Sequence, residues 1–199
     1  MRLAAALFAL LLGGCEVYAV PSPITCPGTL QGTFDFVANQ TSVATDCFFA
    51  VPNDPVYQVL FAPAFVGTVS FASDGTDRAA LCKSAPHALP NSGTHVGPDI
   101  DVSSTFGLTI GGCTCPSAAV QAAAGCVCQT DSTTRNCSCP VVLEQRIQGT
   151  LHAIPGGYDG FDGTFDNIVT PPPTITDRCD CQEPCSFAYA LAATTVGSR

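Results

Sequence analysis

Tryptophan is absent from this 199-residue chain, and lysine occurs once, at Lys83. Charged residues make up only 12% of the sequence and the formal charge is −9. So few cations cannot neutralise a phosphate backbone, which excludes nucleic acid as a partner. The same scarcity excludes a basic patch for anionic lipid headgroups. Long apolar runs are missing as well. The run Leu3 to Leu12 has ten residues, about half of what a membrane-spanning helix needs. The familiar catalytic signatures are absent: no G-x-S-x-G, no H-E-x-x-H, no P-loop and no dinucleotide fingerprint. An enzyme would have to assemble its groups from distant residues. What remains is 46% hydrophobic residues, with 12 Phe and 13 Cys. That is enough for one domain with a real core, its aromatic part resting on phenylalanine.

The N-terminus, MRLAAALFALLLGGCEVYAVPSP, places one cation, Arg2, before the apolar run. This is the arrangement of a secretory signal and its h-region. Leu12-Gly13-Gly14-Cys15 follows at once: an aliphatic residue, two small ones, then Cys. These four residues and the h-region before them resemble a bacterial lipobox; no domain family is recognised in the rest of the chain. The resemblance implies cleavage before Cys15, with residues 1–14 as signal peptide and Cys15 as a lipid-bearing N-terminus. It also implies attachment to a membrane through that lipid, at the bacterial cell envelope, with residues 15–25 as a tether. The alternative is an ordinary signal-peptidase site at Val17-Tyr18-Ala19, which would release a soluble secreted protein.

With Cys15 set aside, twelve cysteines remain: Cys26, Cys47, Cys82, Cys113, Cys115, Cys126, Cys128, Cys137, Cys139, Cys179, Cys181 and Cys185. An even number in an exported chain reads as a disulfide framework. Three Cys-x-Cys pairs lie within residues 111–140. Structural zinc uses wider Cys-x2–4-Cys spacings, and soft-metal clusters need reduced thiols. In a strand, residues i and i+2 share a face, so two facing Cys-x-Cys strands can carry two neighbouring bridges. CVCQTDSTTRNCSC (126–139) is symmetric enough for such a hairpin. Its expected bridges are Cys128–Cys137 and Cys126–Cys139.

Apolar and polar residues alternate through TLQGTFDFV, VYQVLFA, STFGLTI, VVLEQRIQGTLHAI and CSFAYALAA. This is the pattern of half-buried strands. Pro- and Gly-rich clusters separate them. PSAAVQAAAGC alone reads as a helix, with Ser117 as N-cap and Gly125 as its stop. The expected fold is all-β: a disulfide-rich antiparallel β-sandwich with one short helix. It forms a single domain over 26–199, with 111–140 as a cysteine-stapled insertion. An echo of Gly-Thr-apolar in LQGTFDF, IQGTLHA and DGTFDN is read as coincidence among Gly- and Thr-rich strands.

The stretch GGYDGFDGTFDN (156–167) spaces Asp159, Asp162 and Asp166 along what reads as a Gly-rich loop. Calcium takes six to eight oxygens, which carboxylates and loop carbonyls can supply. These three are therefore the candidate ligands, and calcium the one candidate cofactor. Tyr158 and Phe161 on the same stretch could contact a glycan or an envelope protein. The sequence thus points to a cell-envelope lipoprotein acting as a non-enzymatic structural or binding module. A secreted enzyme of unrecognised type and a calcium-dependent adhesion or glycan-binding module are the alternatives. No residue pattern fixes the oligomeric state.

Overall fold

In the computed structural model, which describes residues 26–40, 64–84, 90–129 and 136–196, the alternating segments form one antiparallel sheet. Its strands are β1 (Thr29–Gln40), β2 (Ala64–Phe71), β3 (Arg78–Lys83), β4 (Asn91–Val96) and β5 (Asp99–Cys113). They continue as β6 (Val127–Cys128), β7 (Cys137–Ile154), β8 (Gly157–Thr170) and β9 (Cys185–Thr195). Neighbours pair in chain order from β1 to β5. β5 then pairs with β7, β7 with β8, β8 with β9, and β9 returns to β1. Eight strands therefore close into an up-and-down barrel, and the two-residue β6 adds to the outer edge of β7.

This corrects the expected sandwich. Alternation states that each strand has an apolar face; it does not state what covers that face. Here the sheet covers itself. Inward positions carry Phe34, Phe36, Val69, Leu81, Ile100, Val102, Ile147, Leu151, Phe161, Phe165 and Leu191, all at most 3% exposed. Eight strands enclose a space that side chains fill or that holds one small ligand beside them. Closure depends on small residues where the rings cross. Gly149 and Gly163 face each other across β7 and β8. A Cβ on Gly163 would strike the Gln148 carbonyl and the Phe161 ring, and one on Gly149 would strike the same ring. The Gly-Thr echo thus has a steric reason: these glycines let Phe161 lie across the inner wall. Outward positions carry Thr33, Asp35, Thr68, Asp101, Thr105, Glu144, Arg146, Thr164 and Asp166. Among the described residues, no helix is long and apolar enough to cross a membrane.

Local expectations fare unevenly. The helix α1 (Ala118–Ala123) forms, with the Ser117 hydroxyl accepting from the Val120 amide at 3.1 Å and Gly125 taking φ +67° past its end. A short 3-10 turn, η1 (Asp180–Gln182), has no counterpart in the sequence reading. The presumed Gly-rich loop at 156–167 is instead most of β8, with the chain reversal confined to Pro155-Gly156, where Gly156 takes φ +89°. Gly at the third position of a Pro-Gly turn suits that conformation. Leu30, which strict alternation in TLQGTFDFV would put on the face of Phe34 and Phe36, is 63% exposed because the β1 register shifts between Leu30 and Gly32. The expected strand VYQVLFA lies outside the described residues, as do the signal, the tether, Cys15 and Cys47.

Candidate functional site

The barrel interior divides into three levels. At one end is the phenylalanine core. At the other, β5, β7, β8 and β9 run on past β1–β4 into a cysteine-lined cap closed by α1, β6 and η1. Between them lies a belt of polar side chains.

The cap is covalent. Cys113 bonds Cys181 and Cys115 bonds Cys179, tying the end of β5 to η1. Cys126–Cys139 and Cys128–Cys137 tie β6 to β7, the two bridges expected from the hairpin. Cys26–Cys82 straps the segment before β1 across the outside of β3. Cys185 is also disulfide-bonded, to a partner outside the described residues. Cys115, Cys126, Cys139 and Cys179 gather their sulfurs within 4.8 Å of one another, and Cys126 Sγ lies 3.5 Å from Cys179 Sγ. Such a cluster would suit a soft metal only as thiolates; here two bridges consume all four. Gln182, wholly buried, completes the cap. Its Nε2 donates to the carbonyls of Ala124 (3.2 Å) and Pro140 (2.8 Å), and its Oε1 accepts from the Cys179 amide at 3.1 Å.

The polar belt is the site. Strand period places Lys83, Asn91, Ser104, Gln145 and Asn167 on inward positions, and each is at most 8% exposed. Lys83 is 4% exposed, its Nζ donating to Gln145 Oε1 at 2.9 Å. Gln145 Nε2 donates on to Asn167 Oδ1 at 2.8 Å, and Asn91 Nδ2 donates to the Gln145 carbonyl at 3.0 Å. The ammonium also sits 4.5 Å from the ring centre of Phe165 and 4.9 Å from that of Phe65, within the range where a ring face attracts a cation. Among the described residues no carboxylate pairs with it. Asp35, Asp99, Asp101, Glu144, Asp162 and Asp166 all stand on outward positions. Burial pushes the Lys83 amine down to about 8. Two further polar atoms in the belt, Asn91 Oδ1 and Ser104 Oγ, are buried without a hydrogen-bond partner. Buried polar groups are rarely left so. Partly buried aromatics surround the belt: Phe106 on the next inward position toward the cap, Phe187 level with Asn167, and Tyr189 beside Phe165 on the core side.

Sequence reasoning passed over this belt. The signal was there: the chain's single lysine lies at the third inward position of RAALCK, and Gln145 interrupts the apolar face of VVLEQRIQGTLHAI. The three acidic residues singled out for calcium lie on β8 and are not brought together. Asp162 and Asp166 stand four residues apart on one strand, a span of about 13 Å. Asp162 Oδ2 accepts from the His152 ring Nε2 at 2.9 Å. The groups of three or more potential ligands that converge among the described residues are all cysteines. Phe161 is fully buried and Tyr158 packs at the edge of the core, against Phe71. An open groove of 290 Å³ lies outside the barrel between Pro27-Gly28 and the β2–β3 hairpin. Its two charges, Asp74 and Arg78, already pair with each other.

No protein-family model, curated protein or solved structure matches the chain. The class that the fold defines is a disulfide-rich, closed antiparallel β-barrel, and its many bridges fit an exported protein.

Proposed function

We propose that this protein is a bacterial cell-envelope lipoprotein, exported and anchored through a lipid on Cys15, that works as a non-enzymatic binding module. Two kinds of support meet here. The signal-like N-terminus ends in a lipobox-like Leu12-Gly13-Gly14-Cys15. All eleven described cysteines are disulfide-bonded, a state that persists in oxidising compartments. The observation that carries the binding reading is the Lys83 belt, a buried cation with neutral amides and a hydroxyl around it. That is the inventory of a recognition site, a few polar groups set in apolar walls. No described carboxylate or imidazole pairs with the amine to relay a proton. The cap and the Cys26–Cys82 strap tie the strands around the belt covalently.

Intact mass of the natively produced protein, before and after reduction and thiol alkylation, tests the envelope reading. An acylated Cys15 at the N-terminus, with alkylation only after reduction, is expected. A chain beginning at Val20 would contradict the anchor, and thiols that alkylate without reduction would contradict the framework.

A further inference from the structure

We infer that the Lys83 belt binds an organic monocarboxylate whose apolar body lies along the inward aromatics around it. The inference rests on the binding-module reading and names its ligand class.

Three observations lead there. The first is charge. A buried ammonium without a counter-charge is costly, and one monoanion balances it. A phosphate dianion would leave a net negative charge among phenylalanines, in a chain that already carries −9. The second is hydrogen bonding. Lys83 has three N–H donors and Gln145 occupies one. The Ser104 hydroxyl, buried and unpartnered, is a further donor in the same belt. A carboxylate has two oxygens to accept from both. Asn91 Oδ1, also unpartnered, is an acceptor and discourages a second negative charge beside it. The third is the wall. Phe65 and Phe165 flank the amine, Tyr189 stands beside Phe165, Phe187 is level with Asn167, and Phe106 occupies the next inward position toward the cap. A bare inorganic anion would use none of that surface; a hydrocarbon or aryl body would.

The test uses the full chain with its bridges intact, at pH 7 and constant ionic strength. Phenylacetate and butyrate are the carboxylate probes, with chloride and phosphate as comparisons. Phenylacetate at about a hundred times its Kd should raise Tm by roughly 5–10 °C. Butyrate should do so at higher concentration, and phosphate not at all. Lys83→Met and Lys83→Gln, checked for intact bridges by mass, should lose the response. Because the chain has one lysine, carbamylation of the Lys83 peptide by cyanate at pH 9 gives a second readout in the unaltered protein, and phenylacetate should slow it. Equal stabilisation by chloride would overturn the carboxylate class while leaving a binding module. An undiminished response in both variants would overturn the assignment to Lys83 and leave the module reading standing. If no probe shifts Tm, the inference fails. The binding-module reading fails with it if cyanate also leaves Lys83 untouched, since the amine is then sealed from solvent.

Discussion

The two ends of the barrel are held together by different means. Among the described residues, the phenylalanine core has fourteen buried residues and no cysteine; four of them are Phe34, Phe36, Phe161 and Phe165. Among the same residues the cap has twelve buried side chains, seven of them cysteines and none aromatic. At the core end eight strands surround the apolar side chains on every side, and burial of large rings suffices. Among the described residues, β5, β7, β8 and β9 continue into the cap, flanked by short elements rich in Gly, Ala and Ser. Covalent links hold this end, as they do in small secreted domains. Lys83 sits at the seam between these two ends. A polar belt is tolerable there because neither end depends on it for packing.

The largest effect expected is at the cap. Cys113–Cys181 and Cys115–Cys179 close loops of 68 and 64 residues. Replacing all four by Ser should cost about 4–8 kcal/mol. Denaturant unfolding followed by circular dichroism checks this, and a loss below 1 kcal/mol would mean the cap packs adequately without its bridges. Next comes the core. Phe161→Ala leaves a cavity beneath Gly149 and Gly163 and should cost about 3–5 kcal/mol. An insensitivity of that variant to reductant greater than the parent's would break the division between the two ends.

The seam comes third and has the opposite sign. Burial depresses the Lys83 amine to about 8 from 10.5. The unfolded chain therefore binds more protons than the folded one between these values, and stability rises with pH across that window. Below pH 8 the cost is present in full, about 3 kcal/mol. Lys83→Met should stabilise the unliganded protein by up to that amount at pH 7 and flatten the rise between pH 8 and 10. Urea midpoints at pH 7 and pH 10 check both; a destabilised Met variant would mean the amine's contacts outweigh its desolvation.

The smallest effect is outside the barrel. The Arg146 guanidinium donates to both oxygens of Asp101 (2.8 and 2.6 Å) and holds that carboxyl below its ordinary range. Both side chains are two-fifths exposed, so solvent screening leaves the pair only a small contribution to stability. Asp101→Asn should remove that contribution at pH 7 and make no difference once pH falls below the depressed value in the parent. Melting curves at pH 7 and pH 2 with added salt separate the two.

Much of this was legible in the sequence, and the misses have physical causes. Alternation in STFGLTI, VVLEQRIQGTLHAI and CSFAYALAA gave the inward faces of β5, β7 and β9, because strand period is a local property. Ser117 and Gly125 framed α1 for the same reason, and Cys-x-Cys spacing placed the bridges of the β6–β7 hairpin. Closure was not legible, because pairing of β1 with β9 joins residues about 150 positions apart in register, such as Phe36 and Ala193. The run 156–167 was mistaken for a loop because glycine is a turn signal, whereas Gly160 and Gly163 serve close packing inside β8. Lys83 was counted but not placed: a lysine at the end of a strand ordinarily reaches solvent, and only the closed barrel turns it inward.

One measurement reaches the centre of the account. With a single lysine in the chain, labelling lysine with carbon-13 at Cε gives one side-chain signal, and its titration reports the Lys83 amine directly. The account predicts a midpoint near 8 in the unliganded, disulfide-bonded protein, moving upward when phenylacetate is bound. A midpoint near 10.5 that no carboxylate changes would place the amine in solvent and contradict the interior site.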